Sequence, residues 1–164
     1  MAIERITVVG LGLLGGSLCR ALRQSGSPPY VVGYAHRDRT LVRAREMRLA
    51  DEVTSDLVEA VRGADLVVLS TPVSVFEGAL RQMTPGLKAG GVVTDVGSTK
   101  RTVCRVAREV LPKGVHFVGG HPMAGGEKTG AEFSRADLFR DAVVIVTPEM
   151  DTDDGALAVV EGMW

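Results

Sequence analysis

Short apolar runs and amphipathic stretches alternate along this chain almost from its first residue. Ile6-Thr7-Val8-Val9 is a β-branched run that breaks into glycines, the signature of a strand. Leu14, Leu18, Ala21 and Leu22 then recur at helical spacing, and Gly26 is placed to stop that helix. Tyr30-Val31-Val32-Gly33-Tyr34 predicts a second strand. Thr40 to Leu49 predicts a charged helix marked by Leu41, Ala44 and Leu49, and Asp56 to Val61 a shorter one. Leu66-Val67-Val68-Leu69 is apolar without alternation, as in a strand buried on both faces. Val75 to Met83 reads as a helix ended by Pro85-Gly86, Val92 to Asp95 as a strand, and Lys100 to Leu111 as a helix ended by Pro112. Phe117-Val118-Gly119 is a strand that leads into a turn at His121-Pro122. Ala142 to Val146 is the last strand, stopped by Pro148, and a final helix runs from near Asp151 or Thr152 to Trp164.

Strands alternating with helices imply parallel strands joined by helical crossovers. The expected fold class is therefore α/β, a doubly wound, mostly parallel sheet with helices on both faces. Residues 1–150 form one domain in this reading. Residues 151–164 begin a helix that leads to a second, helical domain, because Leu157, Val159, Val160, Met163 and Trp164 are apolar and nothing follows for them to pack beneath.

Composition narrows the picture without changing it. The 164 residues are 45% hydrophobic and 24% charged, enough apolar material for a real core and too little charge for disorder. The net charge of -1 gives no electrostatic reason to expect nucleic acid or an anionic membrane. Cys19 and Cys104 fall inside predicted helices and read as buried small hydrophobes of a reducing compartment, not as a disulfide. With no basic leader and no apolar run of the ~20 residues that a bilayer demands, the expected location is the cytoplasm. No residue cluster suggests a metal.

The candidate chemistry starts at Val9-Gly10-Leu11-Gly12-Leu13-Leu14-Gly15, a G-x-G-x-x-G that follows a predicted strand and opens a predicted helix. In that context Gly10 serves the tight turn, Gly12 lets backbone approach a pyrophosphate, and Gly15 lets helix and strand pack closely. The helix N-terminus, with Leu13 and Leu14 in its first turn, offers unpaired N–H groups to phosphate. This is the Rossmann-type dinucleotide site. At the end of the second strand an NAD-binding chain usually carries Asp or Glu. Here Ala35 stands in that place, followed by His36, Arg37, Asp38 and Arg39. Loss of the carboxylate and the gain of arginines favour NADP over NAD, since Arg can clamp a 2′-phosphate. The other reading makes both arginines solvated loop charges and gives the acid's work to Asp38.

Three further strand ends face the same crevice. Ser70-Thr71-Pro72 offers small hydroxyls on a rigid turn against the cofactor. Asp95-Val96-Gly97-Ser98-Thr99-Lys100 contributes Gly97 as a cofactor contact, with Ser98 as a helix cap or a substrate contact. Gly119-Gly120-His121-Pro122-Met123-Ala124-Gly125-Gly126-Glu127-Lys128 places an imidazole on a constrained turn. His116 is an ordinary packing or surface histidine.

The segments VVGLGLLGGS at 8–17, LSTPV at 69–73, DVGSTK at 95–100 and above all GGHPMAGGEKTG at 119–130 resemble the N-terminal domain of prephenate/arogenate dehydrogenases. The resemblance extends through DLF at 137–139 to VTP at 146–148. It implies oxidative decarboxylation of prephenate or arogenate in tyrosine biosynthesis, with hydride transfer to NAD or NADP. It implies that His121 accepts a hydrogen bond from the substrate's ring hydroxyl and assists its deprotonation, that Ser98 binds the same hydroxyl, and that Lys100 and Glu127 support them. A helical second domain would complete the substrate pocket and form a homodimer. Gly126 departs from the Ser or Thr common in relatives. Two rivals stand beside this reading: a β-hydroxyacid dehydrogenase with the same glycine loop, and a stand-alone dinucleotide-binding module without catalysis.

Overall fold

A computed structural model describes residues 3–164. Seven strands form one sheet: β1 (Arg5–Val9), β2 (Tyr30–Tyr34), β3 (Glu52–Thr54), β4 (Leu66–Leu69), β5 (Val92–Asp95), β6 (His116–Pro122) and β7 (Val144–Thr147). Their order across the sheet is β3-β2-β1-β4-β5-β6-β7. The first six run parallel and β7 returns antiparallel to β6, pairing His121 with Ile145. The helices are α1 (Leu13–Arg23), α2 (Asp38–Glu46), α3 (Leu57–Val61), α4 (Phe76–Met83), α5 (Arg101–Val110) and α6 (Asp154–Met163). The expected doubly wound sheet is therefore present.

Central β4 shows why its sequence does not alternate. Leu66 and Val68 point into a core shared with α1, α2 and α6, while Val67 and Leu69 point into one shared with α3, α4 and α5. All four are at most 1% exposed. Both faces are covered, so both parities must be apolar.

The boundaries differ from expectation where small motifs decide them. α1 ends at Arg23, before Gly26, because the Gln24 N–H already closes onto the Ala21 carbonyl and the Ser25 N–H onto that of Leu22. β3 was not foreseen in Glu52-Val53-Thr54, which is only three residues long and half-buried. His121 lies within β6, not on a turn after it, because β7 extends the ladder through Pro122. α6 buries Ala156, Val159 and Val160 against this same domain's sheet, and Trp164 meets Phe139 edge-on at 5.2 Å. The apolar residues of the last helix thus have partners here.

The chain order reverses between β1 and β4: β2 and β3 extend to one side, β5 to β7 to the other. The carboxyl ends of β1 and β4 diverge at this point and open a crevice.

Candidate functional site

A cleft of about 920 Å³ fills that crevice. Its floor is Val9, Gly10 and Gly12 from the loop after β1, and Ser70, Thr71 and Pro72 after β4. Each glycine has the expected geometry. Gly10 has φ +103°, outside the range of ordinary side chains. A Cβ on Gly15 would lie 1.9 Å from the Gly10 carbonyl oxygen and 2.4 Å from Ser70 Oγ, so helix and loop touch there. A Cβ on Gly12 would meet nothing within 4 Å. The open side of the loop is therefore at Gly12, the N-cap of α1, where the N–H groups of Leu13, Leu14 and Gly15 begin the helix without intrahelical partners.

Ser70 does more than line the cleft. Its hydroxyl donates to the carbonyls of Gly10 (2.6 Å) and Val9 (3.1 Å), pinning the glycine loop to β4. The Gly10 N–H donates to the Tyr34 carbonyl at 2.9 Å and ties the loop to β2. Thr71 Oγ1 is buried, with no hydrogen-bond partner among the described residues, although Thr71 lines the cleft. An orphaned hydroxyl, an open approach at Gly12 and a bare helix N-terminus together fit a phosphate-bearing nucleotide.

The far wall lies at the end of β2. His36, Arg37 and Arg39 line it and are exposed, with Thr40 and Arg43 one turn on in α2. Ala35 is buried at the strand end. Asp38 is the first residue of α2, where its charge favours the helix N-terminus. Arg43 escaped the sequence reading, since only helical geometry brings it back beside Arg39. So did the lid of the cleft, Thr129 to Glu132. That segment leaves β6 and crosses the sheet's edge to α1, where Arg135 N–H reaches Ser17 Oγ at 3.0 Å and Arg20 Nε reaches Ser134 Oγ at 3.0 Å.

The second predicted constellation lies off this cleft, at the ends of β5 and β6. Ser98 is exposed and caps nothing; α5 begins with Lys100 as N-cap, without a side-chain cap. Glu127 is exposed, and His121 is half-buried. Gly97 is buried, and its N–H donates to Asp95 Oδ2 at 2.9 Å. Lys100 forms an ion pair with Asp95 and also donates to the Gly120 carbonyl at 2.8 Å. Asp95, fully buried, was overlooked as a functional candidate. Burial pushes its carboxyl above the usual carboxylate range, against the pull of Lys100 and of the Gly97 and Gly120 N–H groups. The structure thus brings Lys100, Asp95 and the His121 strand together; among the described residues the Ser98 and Glu127 side chains share no hydrogen bond or ion pair with them.

The family described as "Prephenate dehydrogenase, nucleotide-binding domain" matches residues 18–164. The chain belongs to the prephenate dehydrogenase family. Within it, this nucleotide-binding domain is 37% identical over 161 residues to the cyclohexadienyl dehydrogenase of Zymomonas mobilis, covering 98% of this chain and 55% of that protein. It is 34% identical to the prephenate dehydrogenase of Bacillus subtilis, covering 98% of this chain and 43% of that one. The crystal structure of Aquifex aeolicus prephenate dehydrogenase with hydroxyphenyl propionate and NAD+ superposes with a TM-score of 0.91 at 33% identity, over 100% of this chain and 57% of that chain. The domain therefore spans about half the length of its relatives. No helix among the described residues is long and apolar enough to cross a membrane.

Proposed function

We propose that this domain is the dinucleotide-binding half of an NAD(P)-dependent dehydrogenase of prephenate or arogenate, in tyrosine biosynthesis. The observation that carries the reading is the cleft at the β1/β4 reversal, whose glycine loop leaves its open side at the N-terminus of α1. The relatives' names supply the substrate class. A nicotinamide bound there would supply the hydride acceptor. His121, from the same carboxyl edge of the sheet, takes the proton of the substrate's ring hydroxyl as that carbon becomes a carbonyl. The proton returns to the ring oxygen when carbon dioxide leaves and the ring becomes aromatic. Ser98 is assigned to the same hydroxyl, and Glu127 to a supporting role beside it. In this reading residues 151–164 lead on to a helical domain that closes that pocket, excludes water and forms a homodimer.

For the cofactor, Ala35 in place of an acid and Arg37, Arg39 and Arg43 on one wall support NADP over NAD.

The test is steady-state kinetics of the complete enzyme with prephenate and with arogenate. His121→Asn should lower turnover by roughly 10²–10⁴-fold while dinucleotide affinity persists. Near-normal turnover of His121→Asn, or turnover of neither substrate by the unaltered enzyme, overturns the reading.

A further inference from the structure

The β5–β6 ladder stops short of His121. Its last backbone pair is Thr94 with Val118. Gly120 lies two residues beyond that pair, and its N–H and carbonyl are met by side chains instead of a backbone ladder pair. Asp95 Oδ1 accepts the Gly120 N–H at 3.2 Å, and Lys100 Nζ donates to the Gly120 carbonyl at 2.8 Å. The same ammonium pairs with Asp95 Oδ2, which also accepts the Gly97 N–H at 2.9 Å.

Resting on the reading of His121 as proton acceptor, we propose that Asp95 and Lys100 form a positioning pair that fixes the His121 imidazole by holding both backbone polar groups of Gly120.

Three features support a positioning role over mere stability. Two glycines precede His121, and glycine backbone loses more freedom on ordering than any other, so bonds on the β5 side add to the order that pairing with β7 gives this stretch. The space that their side chains would fill is taken by the pair and its surroundings. A Cβ on Gly119 would lie 2.9 Å from Lys100 Cδ, and one on Gly120 2.9 Å from the Asp95 carbonyl oxygen. A buried ion pair is also a poor way to gain stability, since desolvation offsets most of the attraction and an apolar pair often does as well. Asp95 is fully buried and the Lys100 side chain is 16% exposed, so the desolvation cost is largely incurred. What an apolar pair could not do is bond to Gly120. On its other edge β6 has only β7, the last strand of the sheet, to hold it. Lys100 therefore acts through the backbone of the neighbouring residue rather than by touching substrate.

The experiment uses the complete enzyme with Lys100→Met and with the double variant Asp95→Leu/Lys100→Met. The double variant leaves no unpaired buried charge and so remains informative if the single one fails to fold. Displacement of a reacting group by an ångström costs up to ~10²-fold, so kcat should fall roughly 10–100-fold, with dinucleotide affinity unchanged. Hydrogen exchange at the Gly120 amide should quicken by about tenfold or more relative to Val118 and Val93. Unchanged kcat in a variant background where His121→Asn is inactive overturns the proposal, as does unchanged Gly120 exchange. A raised KM for substrate at constant kcat also overturns it, by making Lys100 a substrate contact. If His121→Asn itself remains active, the assignment of the base fails, and the exchange measurement still decides whether the pair holds Gly120.

Discussion

Gly12 and Gly15 stand three residues apart in one loop, yet their replacement by alanine should have opposite consequences. At Gly15 the new methyl would sit 1.9 Å from the Gly10 carbonyl oxygen, a backbone atom of a loop already held by Ser70 and by the Gly10 N–H bond to Tyr34. Alanine would return roughly 0.5–1 kcal/mol of backbone entropy within α1. That gain is outweighed, because relief of the contact requires α1 to withdraw from β1 and costs typically 1–3 kcal/mol or more. A net loss of about 1–2 kcal/mol lowers the melting temperature of a domain this size by ~2–8 °C. Dinucleotide affinity should fall as well, since the helix N-terminus moves with the helix. At Gly12 no atom lies within 4 Å and φ is -84°, so alanine fits the free protein and costs under ~1 kcal/mol as a poorer N-cap. Its methyl would stand where the pyrophosphate must approach, and affinity should fall at least ~10-fold. Thermal unfolding followed by calorimetric titration of NADP+ and NAD+ separates the two. A Gly15→Ala protein as stable as the parent, or a Gly12→Ala protein of undiminished affinity, refutes the account of the loop.

Arg37→Ala should cost roughly 1.5–3 kcal/mol of NADP+ affinity and little for NAD+, by calorimetry; NAD+ binding tenfold tighter than NADP+ in the parent would refute the NADP reading. Burial raises the Cys19 thiol to about 12, so native protein should resist alkylation there at neutral pH and react once unfolded; ready labelling of folded protein would contradict the packing of α1. Asp65 is pushed up by burial, but Lys88 and the Arg5 and Glu4 N–H groups outweigh this and hold its carboxyl below the usual carboxylate value. A depressed folded value means a stabilising contribution that is full above the ordinary carboxylate range and lost as pH falls through the folded value. The stability deficit of Asp65→Asn, from urea unfolding, should accordingly be greatest near neutrality and shrink in acid; a deficit that grows in acid would reverse the sign.

The alternating pattern was legible because the central strands are continuous in sequence and buried on both faces, as Leu66 to Leu69 illustrate. The glycine loop was legible for a related reason, since its geometry is local to a few consecutive residues. What escaped depends on returning segments. Arg43 joins Arg39 only through a helical turn, and Thr129 to Glu132 reach the cleft only because the chain recrosses the sheet edge. His121 was misplaced on a turn because Gly-Gly-His-Pro reads locally as turn chemistry, whereas β7, more than 20 residues on, recruits it into a strand. Asp95 ends a strand in a motif whose neighbours drew attention, and nothing local signals that its partner on β6 is Gly120.

The recrossing segment also bears on how the domain is made. Its bonds to α1 join residues 114 and 118 apart in sequence, Arg20 to Ser134 and Arg135 to Ser17. The glycine loop of the cleft leaves a ribosome more than 100 residues ahead of the lid. Closing so long a loop is slow, and little rewards it until the sheet between the two ends exists. A nucleotide that touches both walls thus has no complete binding surface until nearly the whole domain has formed. It cannot template the early steps of folding; it can only select and retain the finished product. Retention is substantial, about 2.7 kcal/mol at a ligand concentration 100 times the dissociation constant. Supply of the nucleotide would in that way govern how long the domain persists as well as how fast it works.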